Sequence, residues 1–410
     1  MSKINLRKYE ASLEAIGNIL EWYNFALFMP FLHILSKEFF PLGNAVHREL
    51  LSFLAMSVGL FMRPLGSAVL GPIGDRLGRR KAVSISILLM VIPTVSIGLL
   101  PNYHQMGICA PILLIFFRAL QGISLGGEYA AAMVHLVERA PPNRRGFFGS
   151  LSDAGSQIGV LLGGQALVLL YDFFSPEEIY SFAWRIPFLV AIVLTPFAFL
   201  VPSKVSDKKN IPRESIFKTL MTYRKAVICT ISITAFSAVS FYSLLTFLPY
   251  YLVGGHILSL REATACSAQS TFVMIAFILV GGYLSDIYSK KFFMIFGIGG
   301  VTVIMYLMFL GETTSNQWVT FQLIYGGFLG TYYSSRAAFF SGAFPEHVRC
   351  TAVSLSMSLA QAIFGGLTPI VMGRIVGISP TLAALVVTVI AVGALCSLAT
   401  LREIKVDRST

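Results

Sequence analysis

Charged side chains are scarce in this sequence of 410 residues: they make up 12% of it, whereas hydrophobic residues make up 55% and the mean hydropathy is +0.74. One soluble core could not bury so much apolar surface. Uncharged runs such as 82–100 and 381–401 hold about 20 residues, enough to cross a hydrocarbon core of about 30 Å. The scarcity of charge therefore argues against a soluble protein and predicts an all-α membrane protein.

The sequence also lacks the residue patterns of several kinds of site. Its five cysteines show no C-x-x-C or Cys/His spacing, so neither a metal site nor a disulfide is predicted. The glycine-rich stretches GGEYAAA, GVLLGG and GGFLG follow no predicted strand, which argues against a nucleotide-binding loop. The sequence shows no cluster of His and Asp residues that would predict an enzyme active site. We therefore expect no cofactor and no enzymatic activity. The net charge of +11 is explained by basic residues that orient the protein in the membrane, so no nucleic-acid partner is expected.

Polar segments divide the apolar sequence into twelve predicted spans. Their expected bounds are 12–36, 50–73, 82–100, 107–137, 147–172, 184–201, 226–253, 264–285, 292–310, 317–341, 350–375 and 380–401. If the N-terminus is cytoplasmic, 23 of the 31 Lys and Arg residues lie in cytoplasmic segments and five lie on the other side. Because basic residues are retained in the cytoplasm, both termini are predicted to be cytoplasmic.

Two motifs occur twice in the sequence. GPIGDRLGRRK (71–81) is echoed by GYLSDIYSKK (282–291), in which the same Gly-to-Asp spacing precedes a basic pair. The stretch 141–157 aligns with 345–361 at a constant offset of 204 residues. Such parallel repeats are typical of transporters. We therefore predict two pseudo-symmetric six-helix halves around a central cavity, joined by a cytoplasmic linker, with the bounds 1–201, 202–224 and 225–410.

Four stretches carry a family resemblance: EWYNFALF (21–28), RPLGSAVLGPIGDRLGRRK (63–81), RALQGISLGGEYAAA (118–132) and FPEHVRCTAVSLS (344–356). GPIGDRLGRRK matches every specified position of the loop signature G-x-x-x-D-R-x-G-R-R of the major facilitator superfamily. Together the four stretches resemble its metabolite:proton symporter branch, which includes proline/betaine, shikimate, citrate and 2-oxoglutarate carriers.

The resemblance implies a proton-coupled secondary active transporter that imports a small polar metabolite, an organic acid or a zwitterion, by rocking-bundle alternating access. It further implies a protein of a bacterial inner membrane, with the solute and the proton as its ligands. We expect a monomer surrounded by lipid. An efflux carrier of the same superfamily and a non-transporting membrane sensor are the alternatives.

Charged residues at mid-membrane depth are candidates for the solute site, because placing a charge there costs at least about 2.5 kcal/mol. Glu21 in span 1 and Arg118 in span 4 fall near the midplane. Arg118 is the predicted anion-binding cation, since its planar guanidinium matches a carboxylate. A permanent structural pair between Glu21 and Arg118 is the alternative. The other predicted solute-binding residues are Tyr23, Asn24, Gln157, Tyr242 and Gln361.

Proton coupling needs a carboxylate whose proton affinity changes during transport. Glu21 is the leading candidate, followed by Asp153 and Glu128. Asp153 is of interest because the resembled branch usually has Asp where this sequence has Asn24. The structural alternatives are that Asp153 faces cytoplasmic water and that Glu128 braces span 4.

The charged turns after spans 2 and 8 are expected to close the cytoplasmic face. The family resemblance implies an inter-half latch that forms in one conformation and breaks in the other. Asp75 is expected to meet a helix N-terminus of the other half, where the helix dipole favours a carboxylate. The predicted gating residues are Asp75, Arg76, Arg79, Arg80, Asp286 and Lys290.

Two further residues are placed near the membrane faces. Arg336, near the inner end of span 10, is expected to extend its side chain to the lipid headgroups. His33 lies at the outer end of span 1 without ligand spacing and is assigned no role.

Overall fold

The computed structural model describes residues 17–77, 79–199, 216–309 and 314–401, and every regular element within these ranges is a helix. The predicted spans 1 to 12 correspond, in order, to 17–26 with Phe28–Phe39, Ala45–Phe61 with Arg63–Leu77, Arg79–Leu99, Cys109–Arg139, Arg145–Phe173, Ile186–Phe199, Arg224–Tyr242 with Leu248–Gly254, Leu260–Ser285, Lys290–Phe309, Ser315–Gly342, Arg349–Ala360 with Gly366–Val376, and Pro380–Thr400. Short helices lie in the connections at Tyr103–Met106, Pro176–Ser181 and Ile216–Thr222.

Within the described ranges, eight helices are long and apolar enough to cross a membrane. Two shorter apolar helices, Ile85–Leu99 and Ala183–Val193, belong to spans 3 and 6. Span 10 is long enough but more polar, and its Ser, Thr, Tyr and Arg side chains from Thr331 to Arg336 are buried in the protein. Polar residues at this depth are tolerated because they face the bundle interior instead of lipid.

Several helices begin at a side chain that accepts a hydrogen bond from their free N–H groups. Asn44 Oδ1 accepts from the His47 N–H at 2.8 Å at the start of span 2. Ser259 starts span 8 in a capping box with Glu262. These residues end the apolar runs at one face of the membrane, which explains why the sequence pattern located the spans well.

Spans 7 and 11 each contain a wide π-helical turn, at Ser243–Phe247 and Gln361–Gly365. In both spans a proline follows, Pro249 or Pro369. Proline has no N–H and its ring clashes with the carbonyl four residues earlier, and in both cases that carbonyl lies inside the wide turn. The two irregular segments therefore occupy matching positions in the C-terminal half.

Several helix pairs join the halves of the bundle: span 5 packs against spans 8 and 10, and span 11 packs against spans 2 and 4. The buried hydrophobic residues form one cluster that includes members of both halves. Buried polar side chains from several spans lie within this core, and these residues form the candidate site.

Candidate solute and proton site

Close packing of spans 2 and 4 positions two buried arginines. A methyl group added at Gly122 would lie 1.9 Å from the Gly59 carbonyl oxygen, and one at Gly126 would lie 1.9 Å from the Arg63 carbonyl oxygen. Only glycine permits this backbone approach. Arg63 and Arg118 are respectively 2% and 0% exposed. The small-residue stretch of span 4 therefore brings two cationic side chains into the core of the N-terminal half.

The Arg118 guanidinium is enclosed mainly by aromatic rings. Its carbon lies 4.5 Å from the ring centre of Phe25 and 4.4 Å from that of Phe28. Nη1 donates to Gln121 Oε1 at 2.7 Å and to the Phe25 carbonyl at 3.3 Å. Nε and Nη2 have no hydrogen-bond partner among the described residues, and no described carboxylate lies within ion-pair distance. A buried cation with free donors is suited to binding an anion.

Arg118 and Glu21 do not form the direct pair that was the alternative expectation. Glu21 is buried, and Ser124 Oγ donates to its Oε1 at 3.5 Å. Asn24 Nδ2 donates to the Leu20 carbonyl at 2.8 Å, while its buried Oδ1 has no hydrogen-bond partner among the described residues. Tyr23 donates to the Pro187 carbonyl at 3.0 Å, which links span 1 to span 6 within the same half.

The second half contributes Tyr242 and Gln361 to the centre. Tyr242 is fully buried at the start of the wide turn of span 7, and its hydroxyl has no hydrogen-bond partner among the described residues. Tyr242 interacts electrostatically with both Arg63 and Arg118. Gln361 Oε1 accepts from Arg63 Nη1 at 3.4 Å, across the interface of the halves. Gln157 is also buried, and its Oε1 has no described partner.

The expectation that Arg336 reaches the lipid headgroups is wrong. Its side chain is 1% exposed and forms an ion pair with Asp153, whose side chain is 0% exposed. The guanidinium also lies 4.4 Å from the ring centre of Tyr333. Asp153 belongs to span 5 and Arg336 to span 10, so this buried pair links the two halves. Asp153 consequently does not face cytoplasmic water in this conformation.

The predicted cytoplasmic face is closed by further contacts between the halves. Asp286 accepts hydrogen bonds from the N–H groups of Gly146 at 2.6 Å and Phe147 at 2.9 Å, in the first turn of span 5. Arg349 Nη1 donates to Glu138 Oε1 at 2.7 Å. A carboxylate of the second half therefore caps a helix N-terminus of the first half, and the gating role of Asp286 stays a prediction.

The side chains of several predicted residues lie outside the described part of the structure, although their backbone is helical. The side chains of the turn after span 2 and of the middle of span 4 are among them, which leaves the following residues without a described contact: Asp75, Arg76, Arg79, Arg80 and Glu128. Lys290 is described and begins span 9, where its carbonyl accepts from Ser335.

A cavity of about 990 Å³ opens at the opposite face of the bundle. Its wall includes Ala26 and Met29 of span 1, Leu245 and Thr246 of span 7, and residues of spans 2, 5, 8 and 11. Arg118 does not line this cavity in the present conformation. Phe25 and Phe28, which cover Arg118, directly precede Ala26 and Met29 in the sequence.

Sequence reasoning missed the roles of Arg63, Arg336 and the Glu138–Arg349 pair. Arg63 is one of three basic residues within the spans. Its position inside an apolar span was the signal that could have identified it, because a charge in the membrane is costly. The partners of Arg336 and Arg349 are 183 and 211 residues away in the chain. No local pattern identifies such partners.

An all-helical membrane protein with buried charges at its centre, a cavity at one face and closing contacts at the other is built as a solute transporter. The family model described as Major Facilitator Superfamily matches residues 15–365 and 230–408, and the chain belongs to this family. It is a transporter and not an enzyme.

Relatives and solved structures agree with this assignment. A Staphylococcus aureus (strain COL) protein named "Putative proline/betaine transporter" is 33% identical over 374 residues, covering 87% of this chain and 79% of that protein. The citrate-proton symporter of Klebsiella pneumoniae is 28% identical over 87% of this chain and 82% of its own length. The xylose transporter XylE from E. coli, in a partially occluded inward open conformation, has the same fold, with a TM-score of 0.77 at 17% identity over 97% of this chain and 98% of XylE.

Proposed function

We propose that this protein imports a small solute bearing a carboxylate, together with protons, across the inner membrane of a bacterium. The solute is an organic acid or a zwitterion such as proline or a betaine. Relatives named as a proline/betaine transporter and a citrate-proton symporter support this proposal. The distribution of basic residues supports cytoplasmic termini. One chain supplies both halves of the site, so we expect a monomer.

The free guanidinium nitrogens of Arg118 carry the solute assignment. An unpaired charge in a protein core is costly unless a partner and hydrogen bonds compensate it. Arg118 has two buried nitrogens without a hydrogen-bond partner among the described residues. A solute carboxylate supplies two acceptor oxygens in the geometry of the guanidinium fork. Tyr242 interacts electrostatically with both Arg63 and Arg118, so Arg63 adds a second positive charge to the same region and the Tyr242 hydroxyl offers a free hydrogen-bonding group.

Asp153 is the proton acceptor that the buried pair favours. While ionised, Asp153 holds Arg336 of the other half and stabilises the closed cytoplasmic face. Protonation removes the charge of Asp153 and so weakens its attraction for Arg336. The cytoplasmic face then opens more readily, and Asp153 releases its proton there. Glu21, a carboxylate at the depth of the solute site, is the second proposed proton acceptor.

Alternating access follows from the two faces of the bundle. The present conformation has a cavity at the predicted outer face and inter-half contacts at the cytoplasmic face. Solute enters from the outer cavity, the halves close over it, and the contacts of Asp286 and Arg349 break as the inner face opens.

The test uses purified protein in liposomes that contain a pH-sensitive dye. Organic acids, L-proline and glycine betaine are added in turn at a fixed inward proton gradient, and uptake of the same labelled compound is measured. Internal acidification that depends on one of these solutes is the expected result. Arg118→Ala is expected to abolish both signals, while Arg185→Ala, a basic residue near the outer face, serves as the matched control.

Two outcomes contradict the proposal. If the folded wild-type protein gives neither internal acidification nor uptake with any of these compounds, import of these solutes is excluded. Solute loss from preloaded vesicles on acidifying the outside favours an efflux carrier of the same family.

A further inference from the structure

The outer cavity contains a titratable pair that is separate from the solute site. His33 at the end of span 1 and Glu49 at the start of span 2 both line the cavity. His33 Nδ1 lies 2.6 Å from Glu49 Oε1, a distance that requires a proton between the two atoms. The side chain of His33 is 32% exposed and that of Glu49 is 8% exposed. Histidine therefore meets the cavity water, and the carboxylate is largely shielded from it.

Glu49 is held in position but not fully satisfied. Ser36 Oγ donates to Oε1 at 3.2 Å and to the His33 carbonyl at 2.8 Å, which links the three residues. The second oxygen, Oε2, is buried and has no hydrogen-bond partner among the described residues. A buried carboxylate oxygen without a donor is unfavourable, so Glu49 has one oxygen that no described group satisfies beside its contact with His33.

The cavity wall around the pair is mostly basic or neutral. Of the described residues that line the cavity, Glu49 is the one carboxylate, and His256 and Arg374 are further basic groups. Tyr180 and Tyr250 interact electrostatically with Glu49. Charged groups outside the cavity wall at this end of the bundle include Lys37, which donates to the Tyr180 hydroxyl at 3.4 Å, Arg48, which directly precedes Glu49, and Glu38, which accepts from Asn102 at 3.1 Å.

We propose that His33 and Glu49 form the site at which a proton enters the transporter from outside, an inference that rests on the proposed proton coupling. In the resting pair, neutral His33 donates its Nδ1 proton to the Glu49 carboxylate. A proton from cavity water binds Nε2 of His33, and the Nδ1 proton then moves to Glu49 Oε1. His33 is left neutral with its proton on Nε2, and Glu49 is a carboxylic acid.

This transfer links proton entry to solute capture. Protonation of Glu49 removes the one described carboxylate charge from the cavity wall, while Arg374 keeps its positive charge. A cavity of more positive potential attracts an anionic or carboxylate-bearing solute more strongly. The proton therefore binds before the solute and favours its entry.

The first experiment needs no solute. Infrared difference spectra of the purified full-length protein in lipid nanodiscs are recorded between pH 8 and pH 5. We expect a carboxylic acid C=O band that is absent in Glu49→Gln and that titrates at a different pH in His33→Gln. Glu38→Gln, which removes a carboxylate of the same face outside the cavity wall, and His104→Gln, an exposed histidine, keep the band. Persistence of the band in Glu49→Gln, or its loss in Glu38→Gln, overturns the proposal.

The second experiment measures uptake at several external pH values and a constant internal pH, with L-proline, glycine betaine and citrate as probes. Wild-type uptake is expected to fall by up to about tenfold for each unit of external pH above the midpoint of its pH profile. This slope is the limit when the binding of one proton controls uptake. In Glu49→Gln this dependence is lost, and solute exchange, which moves no net proton, shows that the variant is folded.

The outcomes separate this inference from the proposed function. An unchanged external-pH dependence in Glu49→Gln contradicts the entry site while leaving proton coupling intact. If Glu49→Gln cannot be folded, His33→Gln decides, because wild-type pH dependence in that variant also contradicts the site. A titrating Glu49 band in a protein that moves no protons with any probe supports the protonation site and contradicts the proposed coupling.

Discussion

Replacing Asp286 by alanine is expected to open the cytoplasmic face of the transporter. Asp286 accepts two backbone hydrogen bonds in the first turn of span 5, at 2.6 Å from Gly146 and 2.9 Å from Phe147. Both bonds cross between the halves, so they exist only while this face is closed. Alanine removes the acceptors and also the negative charge at the positive end of the helix dipole.

The expected loss of closing free energy is about 2 kcal/mol. A hydrogen bond to a charged group contributes about 1.5–3 kcal/mol, and a charge at a helix N-terminus contributes about 0.3–1 kcal/mol. Asp286 is only partly buried, and water replaces it at the freed N–H groups, so the net loss is close to the contribution of one such hydrogen bond plus the helix dipole. Since about 1.4 kcal/mol corresponds to a tenfold change, the inward-open population should rise about 30-fold relative to the closed one.

Distances between spin labels measure this population. Labels at Asn143 and Tyr288, both exposed, report the separation of the halves at the cytoplasmic face after the exposed Cys109, Cys350 and Cys396 are replaced by serine. We expect a longer distance to become substantially populated in Asp286→Ala and to a smaller extent in Asp286→Asn, whose amide oxygen still accepts.

The matched control removes another inter-half contact of span 5. Asp172 pairs with Arg261 at the opposite face, and their side chains are 42% and 50% exposed. Such an exposed pair contributes only about 0–1 kcal/mol. Asp172→Ala should leave the cytoplasmic distance unchanged. The reasoning fails if Asp286→Ala keeps the parent distance distribution, or if Asp172→Ala opens the face equally.

Three further predictions concern the buried and half-buried charges. Arg118→Lys should lose most solute uptake because an ammonium group lacks the planar two-donor fork, whereas uptake at the wild-type rate would remove Arg118 from the site. Arg336→Ala should lower the free energy of unfolding by about 3–5 kcal/mol because it removes the Arg336 cation from the buried Asp153 carboxylate, and Asp153→Asn in the same protein should recover much of this loss in denaturation curves. Arg349→Glu should open the cytoplasmic face by repulsion from Glu138, and the exchange Glu138→Arg with Arg349→Glu should close it again; failure of the double variant to restore the label distance contradicts a direct role of the pair.

The positions of the spans could be predicted from the sequence because they depend on local chemistry. A run of about 20 apolar residues is stable only across the hydrocarbon core, and the polar residues that cap helices end each run. The bounds Cys109–Arg139 and Pro380–Thr400 differ by at most two residues from the predicted 107–137 and 380–401. The π-helical turns of spans 7 and 11 were not predicted, since their prolines alone do not specify how the backbone adapts.

The candidate site was predictable in part for the same reason. Depth along a helix follows from residue number, so Arg118 and Glu21 could be placed near the midplane from the sequence. The depth of a residue in the membrane does not specify whether its side chain points into the bundle or toward the lipid. Arg336 was assigned to the headgroups because its distance from the helix end fits that position, but its side chain turns inward to Asp153.

The sequence by itself determined the number and order of the apolar helices and the duplicated motifs, because these features depend on composition and spacing within short segments. Only the tertiary structure decided which charges meet. Asp153 with Arg336, Glu138 with Arg349, and Asp286 with the start of span 5 all join residues more than a hundred positions apart. These contacts depend on how two six-helix units pack against each other, since an electrostatic partner is selected by distance in space and by the exclusion of water around it.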